Sequence, residues 1–435
     1  MSPAAAAADQ ASVLRKVTFR LLPFIGLLYF VAYLDRVNVG YAALTMNADI
    51  GLSAAAYGAG AGIFFIGYFF FEVPSNLIME KVGARRWIAR IMVSWGVLSS
   101  GMAFIDGPVS FYVVRFLLGV AEAGFFPGMI LYLTYWFPWA ERGRIIAAFM
   151  LAIPISSVIG APISTALLDV SVFGLAGWRT MFLLEGLPAV ILGVVVWMWL
   201  TDRPALAHWL TPEEKATLQA ALDRDHLPSD DHVHALKGAV ASPKVWRFAL
   251  VYFGLVTGNY GLGFWMPQIV KGFGGLTNAQ TGFLTAGPYL VAAVAMVLWG
   301  RHADRTGERL WHFVLPAVLA SSGFLLAAQG GSPALQFAGL ALGAIGVNCA
   351  APAFWALPTR FLRATAAAGG IALINSVGNL AGYLGPSIMG FLKERTGAYG
   401  AGLLALSAAL LVAAALAPDW GARRRRSLAL DADPV

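Results

Sequence analysis

Two stretches keep charge where an apolar chain has little reason to hold it. Tyr33-Leu34-Asp35-Arg36-Val37-Asn38 sets a carboxylate, a guanidinium and an amide together, and Arg115-Phe-Leu-Leu-Gly-Val-Ala-Glu122 carries a second opposite pair, each inside a hydrophobic run. A charge near a bilayer centre costs roughly 2.5 to 3.5 kcal/mol even on insertion scales, so side chains kept there face partners or water. Arg115 and Glu122 are separated by nearly two helical turns and address one face. A guanidinium so placed can hold a carboxylate in bidentate fashion, and a carboxyl withdrawn from water can carry a proton near neutral pH. Arg36 is the candidate anchor for an anion, Arg115 a second cation for the same site and a partner for Asp35, and Asp35 and Glu122 the candidate proton carriers. The same four charges could instead form structural ion pairs, Asp35 with Arg115 and Glu122 with a neighbour, although buried pairs contribute little net stability. Glu72, beside Pro74, reads as a structural partner of a kinked helix.

The elements that hold these residues follow from composition. The chain has 435 residues, 59% hydrophobic and 12% charged, with mean hydropathy +0.70. Soluble domains hold about 25% charged residues, whereas repeated apolar runs of about 20 residues match a bilayer's hydrocarbon thickness. The pattern is that of a polytopic all-α membrane protein; a transmembrane barrel needs alternating segments of about ten residues, which are absent. The net charge of +7 is spread along the chain rather than gathered on one face, which argues against nucleic acid. Cys349 is the single cysteine, so no intrachain disulfide and no cysteine-based metal site can form. His232 and His234 read as solvated loop residues.

Apolar runs predict helices near 18–42, 57–79, 87–105, 109–137, 143–168 and 178–200, then near 246–270, 280–300, 311–329, 334–357, 365–392 and 399–417. This gives twelve transmembrane helices: an N-terminal tail (1–17), a six-helix half (18–200), a linker (201–243), a second six-helix half (244–420) and a C-terminal tail (421–435). The first run lacks a small-residue cleavage site and reads as an uncleaved span. Of the 30 Lys and Arg, 24 fall in the tails and connections on one side if both termini are cytoplasmic, two lie within helices and four remain outside. That bias sets the expected orientation. Thr211-Pro212-Glu213-Glu214 is a helix-start signature and predicts a short amphipathic helix on the cytoplasmic face, and Arg423 to Arg426 mark the membrane surface through acidic lipid. At about 1.5 Å per residue, Asp35 lies about 8 Å and Arg115 about 9 Å from the outer edge, a shared depth.

The halves repeat. Asn76-x-x-x-Glu80-Lys81-x-Gly83-x-Arg85 follows the second helix, and Gly300-x-x-x-Asp304-Arg305-x-Gly307-x-Arg309 follows the eighth at an offset of 224, which Pro162 and Pro386 share. Two pseudo-symmetric six-helix halves are the parallel repeat of secondary transporters.

With these motifs in place, the sequence resembles the major facilitator superfamily, whose loop between the second and third helices carries Gly-x-x-x-Asp-Arg-x-Gly-x-Arg. Leu34 to Gly40, Phe71-Glu72-Val73-Pro74-Ser75-Asn76, Arg115 to Pro127 and Tyr260 to Gln268 further resemble the anion:cation symporter family and its tartrate and phthalate branch. The resemblance implies the major facilitator fold and proton-coupled uptake of an organic anion. It assigns proton coupling to Asp35 and Glu122, places Arg36, Tyr33, Tyr68, Trp355 and Asn375 around the central site, and gives Glu80, Gly83, Arg85, Asp304, Arg305, Gly307 and Arg309 a part in gating.

The expected function is therefore import of a small organic acid anion, a tartrate-like hydroxy dicarboxylate, a sugar acid or phthalate, by proton symport through alternating access. The proton is the coupling ion and no cofactor is expected; the partners are the anion and membrane lipid, and the chain is expected to be a monomer in a bacterial plasma membrane. No metal-ligand pair, nucleophile elbow or phosphate-cradling loop points to an enzyme. Arg36 and Arg115 favour an anion importer over an exporter of hydrophobic cations.

Overall fold

The computed structural model describes residues 3–224, 240–355, 357–358 and 365–417, and every regular element among them is helical. His226, His232, His234, Lys237, Arg360, Arg363 and the tail containing Arg423 to Arg426 lie outside the described residues. The first half contains α1 (Pro3–Asp49), α2 (Ala54–Val82), α3 (Ala84–Gly101), α4 (Pro108–Glu122), α5 (Phe125–Thr134), α6 (Trp139–Met150), α7 (Ala152–Leu167) and α8 (Gly177–Trp199). After the linker helix α9 (Pro212–Asp223) come α10 (Pro243–Lys271), α11 (Asn278–Thr306), α12 (Leu310–Ala328), α13 (Pro333–Trp355), α14 (Thr365–Thr396) and α15 (Gly400–Leu416).

Nine stretches among the described residues are long and apolar enough to cross a bilayer. Helices α10 and α14 are as long but less uniformly apolar, and α15 is shorter at 17 residues. With α4–α5 and α6–α7 each forming one span, these complete twelve. The sequence reads 109–137 and 143–168 as single helices, whereas each is broken. Between α4 and α5, Gly124 takes a left-handed φ of 86°, and a Cβ there would lie 2.4 Å from Ser75 Oγ on α2. Only glycine fits both demands. The second break falls at Leu151, three residues before Pro154, which lacks the N–H that would continue the ladder.

The repeat holds in three dimensions. α2 and α11 are each 29 residues long, offset by 224 at both ends, with Ser53 and Thr277 as hydroxyl N-caps and Gly83 and Gly307 ending them at positive φ. The two halves join along α1 with α10, α2 with α14 and α7 with α11. These contacts concentrate at the end far from the chain termini. There a Cβ on Gly62 would lie 2.8 Å from Tyr383 Cα, and one on Gly282 1.9 Å from Thr165 Oγ1. Polar latches accompany the packing: Asn278 Nδ2 donates to Asp169 at 2.7 Å, the Ala55 N–H to Glu394 at 2.7 Å, and Tyr57 Oη to the Phe264 carbonyl at 3.0 Å. At the termini end, α9 has the predicted Thr211 cap and docks on α1 through Lys16 and Glu214.

Candidate functional site

Between the halves lies a cavity of about 840 Å³. Its wall runs from Tyr33, Arg36, Tyr68 and Asn375 at mid-depth to Arg144, Arg301, Asp304 and Arg309 at the termini end, so it opens on that end and is shut at the other. Trp355 forms an apolar part of the wall, its ring 4.8 Å from Tyr252 in edge contact. Ile153 and Pro154, beside the break in the fifth span, add apolar wall from the first half.

Arg36 is 6% exposed at the cavity's inner end. Its Nη2 donates to Glu122 and its Nη1 to Tyr260 Oη at 3.1 Å, so one side chain ties α1 to α4 in its own half and to α10 in the other. Phe64 and Tyr68 rings lie 5.4 and 5.5 Å from its guanidinium, within range for cation–π attraction. Glu122 keeps a second oxygen, buried, with no hydrogen-bond partner. The break after α4 begins at the next residue, where discontinuous helices of transporters commonly present binding groups.

Arg115 stands elsewhere. Its Nη2 donates to the Ala61 carbonyl of α2 at 2.7 Å, with the Phe64 and Phe264 rings at 5.1 and 5.9 Å, and it is off the cavity wall in this state. The expected contact with Asp35 is not formed. Shared depth fixed only one coordinate: α4 packs on α2 and turns Arg115 there, while Asp35 turns toward α3 and α8. Asp35 accepts from Trp95 Nε1 at 2.7 Å and Asn38 Nδ2 at 3.4 Å. Asn38 also donates to Glu185 on α8 at 3.0 Å, and Ser164 donates to Glu185 at 2.6 Å.

The Glu72 side chain reaches across the α2–α14 interface to the other half rather than supporting its own kink. Asn375 Nδ2 on α14 donates to it at 2.6 Å and Ser376 Oγ at 3.5 Å. The gating-motif residues stay within their own halves. Gly83 ends α2, and the Arg85 N–H donates to Asp202 at 2.7 Å; Arg309 pairs with Asp304 at 2.6 Å around Gly307. Glu80 and Arg305 lie on the last turns of α2 and α11 and are exposed. No ion pair among the described residues joins these two loops, in keeping with the open end.

The major facilitator superfamily model matches residues 25–386 and 273–428. The chain belongs to that superfamily. It is a multi-pass membrane transporter, not an enzyme, and a secondary one. A protein from Agrobacterium vitis named "Putative tartrate transporter" is 53% identical over 408 residues, 94% of this chain and 91% of that one. A quinolone resistance transporter of Acinetobacter baumannii is 45% identical over 92% of this chain and 93% of its own length. The fold is shared with a solved D-xylose-proton symporter at TM-score 0.73 and 16% identity, covering 93% of this chain and 97% of that one.

The structure brings Tyr33, Arg36, Tyr68, Trp355 and Asn375 to one cavity, sets Glu122 directly behind Arg36, and leaves Asp35 and Arg115 in separate buried pockets. Sequence reasoning passed over Tyr260 as a partner and Glu185 altogether. Tyr260 sits one repeat length after Arg36, and Glu185 is a carboxylate inside an apolar run; both signals were readable.

Proposed function

We propose that this chain imports a small organic acid anion, of the tartrate-like hydroxy dicarboxylate, sugar acid or phthalate class, by proton symport through alternating access. The observation that carries this is the Arg36–Glu122 pair at the inner end of a cavity between two halves. An anion can take Arg36 only if Glu122 gives it up. A proton on Glu122 releases the guanidinium, and one carboxylate of the substrate then takes the place of the Glu122 carboxylate beside it. Coupling then follows from competition for one cation.

The cavity falls within the range of small-ligand sites, and Tyr33, Tyr68 and Asn375 offer hydroxyl and amide groups suited to a hydroxy acid beside Arg36. The name of the Agrobacterium vitis relative agrees with this substrate class. The Lys and Arg excess favours cytoplasmic termini in a bacterial plasma membrane, and in that orientation the cavity faces inward. The transport cycle then loads Asp35 and Glu122 with protons from outside, binds the anion at Arg36, rocks the halves about the central site and releases both inside.

Uptake of labelled tartrate into proteoliposomes under an inside-alkaline gradient, with phthalate and a sugar acid as competitors, tests the reading. Accumulation abolished by a protonophore supports it, and Glu122→Gln is expected to lose accumulation while retaining counterflow. The aromatic cavity wall and the Acinetobacter baumannii relative favour a second reading, export of aromatic compounds. Quinolone efflux with no anion accumulation would select it.

A further inference from the structure

Behind the cavity, a second cluster of ionisable groups remains that the Arg36–Glu122 exchange does not use. Asp35 on α1 and Glu185 on α8 are 1% and 4% exposed, and both accept a hydrogen bond from the same amide nitrogen, Asn38 Nδ2. Two further donors to the pair are neutral: Trp95 Nε1 from α3 and Ser164 Oγ from α7. Among the described residues, no cation pairs with either carboxylate. Arg36 is held by Glu122 and Tyr260, Arg115 by the Ala61 carbonyl, and Arg179 on α8 turns to the Ala103 and Ile105 carbonyls and to Asp49. Arg90 on α3 lies over the Trp87 ring. Among the described residues, Tyr41 also lies within electrostatic reach of Glu185, and Glu122 within reach of Asp35.

Two ionised carboxylates bridged by one amide, out of water and without a cation, repel each other and forfeit solvation. One proton relieves both costs. We propose that Asp35 and Glu185 form a single proton-holding site, in which one exchangeable proton is shared between the two carboxyls across Asn38. Proton uptake from water converts the pair from two carboxylates to one carboxylate and one carboxylic acid; release returns the proton to water and restores the double charge. Taken with the proton-symport reading, on which this part rests, Glu185 completes the Asp35 site in place of the absent Arg115 contact. The pair is sealed from the cavity here, so the proton moves only when α1 and α8 shift with the alternation of the halves.

The protonation claim can be tested without any substrate. Infrared difference spectra of the purified, folded protein between acid and alkaline buffer should show a protonated-carboxyl band that titrates, and Glu185→Gln and Asp35→Asn should each remove it. Ser164→Ala keeps the carboxyl, removes one donor and should shift the band, which guards against a fold defect in Glu185→Gln. A band that is unchanged in Glu185→Gln, or that stays protonated at every pH, overturns the proposal. In proteoliposomes, one coupled proton supports about tenfold accumulation per pH unit, the factor that 1.4 kcal/mol represents, so Glu185→Gln should lower the accumulation ratio about tenfold at a one-unit gradient. If wild-type uptake ignores the gradient, the symport reading fails, while the infrared result still decides the shared proton.

Discussion

Arg36 and Tyr260 stand 224 positions apart, the length of the internal repeat, and bond to each other at 3.1 Å. Equivalent residues of two related halves meet only near the axis that relates them, so this bond marks the centre about which the halves alternate. The charge there is one-sided. The second-half equivalents of Asp35, Arg36, Arg115 and Glu122 are Asn259, Tyr260, Gly339 and Gly346, all neutral. The first half carries the ionic chemistry, and the second offers hydroxyls, amides and an aromatic wall.

From this follows a graded pair of substitutions. Tyr260→Phe removes one hydrogen bond, worth about 0.5 to 1.5 kcal/mol, and should raise the KM for anion uptake about two- to tenfold. Arg36→Lys keeps the charge but loses the planar fork that serves Glu122 and Tyr260 together, and uptake should fall by more than in Tyr260→Phe. Equal KM in wild type and Tyr260→Phe would mean the hydroxyl does not orient Arg36 for substrate.

Glu72 and Asn375 join the halves across the α2–α14 interface at 2.6 Å. A double-mutant cycle of Glu72→Gln and Asn375→Ala, read by unfolding in detergent, should give a coupling energy of about 0.5 to 3 kcal/mol. Additive effects would show that the two side chains act independently and that the contact does not stabilise this state.

Much of the architecture was legible because a bilayer imposes a length on each element. The twelve runs, the repeat and the Thr211 cap all come from local signals. The break after Glu122 was not legible, because the demand for Gly124 comes from Ser75 on another helix. The pairing of charges was half legible. Rise along a helix gives depth, but which neighbour a side chain meets depends on rotation and packing, and that sent Arg115 to α2 and gave Arg36 to Glu122. Glu72 shows the same limit: its chain position suggested a kink partner, and its partner lies in the other half.

Closure of the far end depends on contacts that leave no room for a side chain. At Gly282 a Cβ would sit 1.9 Å from Thr165 Oγ1 and 2.7 Å from the Ala161 carbonyl, and the backbone cannot yield. Gly282→Val should therefore disfavour this state by about 1 to 3 kcal/mol, moving its population about 5- to 150-fold while the spans stay folded. Cys349, the single cysteine, lines the cavity and reports on it. Its alkylation from the termini side should slow in Gly282→Val, and an unchanged rate with full transport would show that α7 and α11 need not approach this closely.

The linker helix supplies a pH-dependent contact outside the membrane. Lys16 Nζ bonds both Glu214 oxygens, at 2.8 and 2.7 Å, and with the Thr211 N–H holds that carboxyl below its usual 4.5. A carboxyl depressed in the folded protein stabilises it fully above the unfolded value and loses that contribution as pH falls through the lower folded value. Half exposed, the pair is worth about 0.2 to 1 kcal/mol. Lys16→Ala should thus unfold slightly more easily than wild type at pH 7, and the difference should shrink toward zero as the pH falls through the lowered folded value of Glu214. A difference that stays constant over that range would assign the effect to the packing of the lysine stem on α9 instead of its charge.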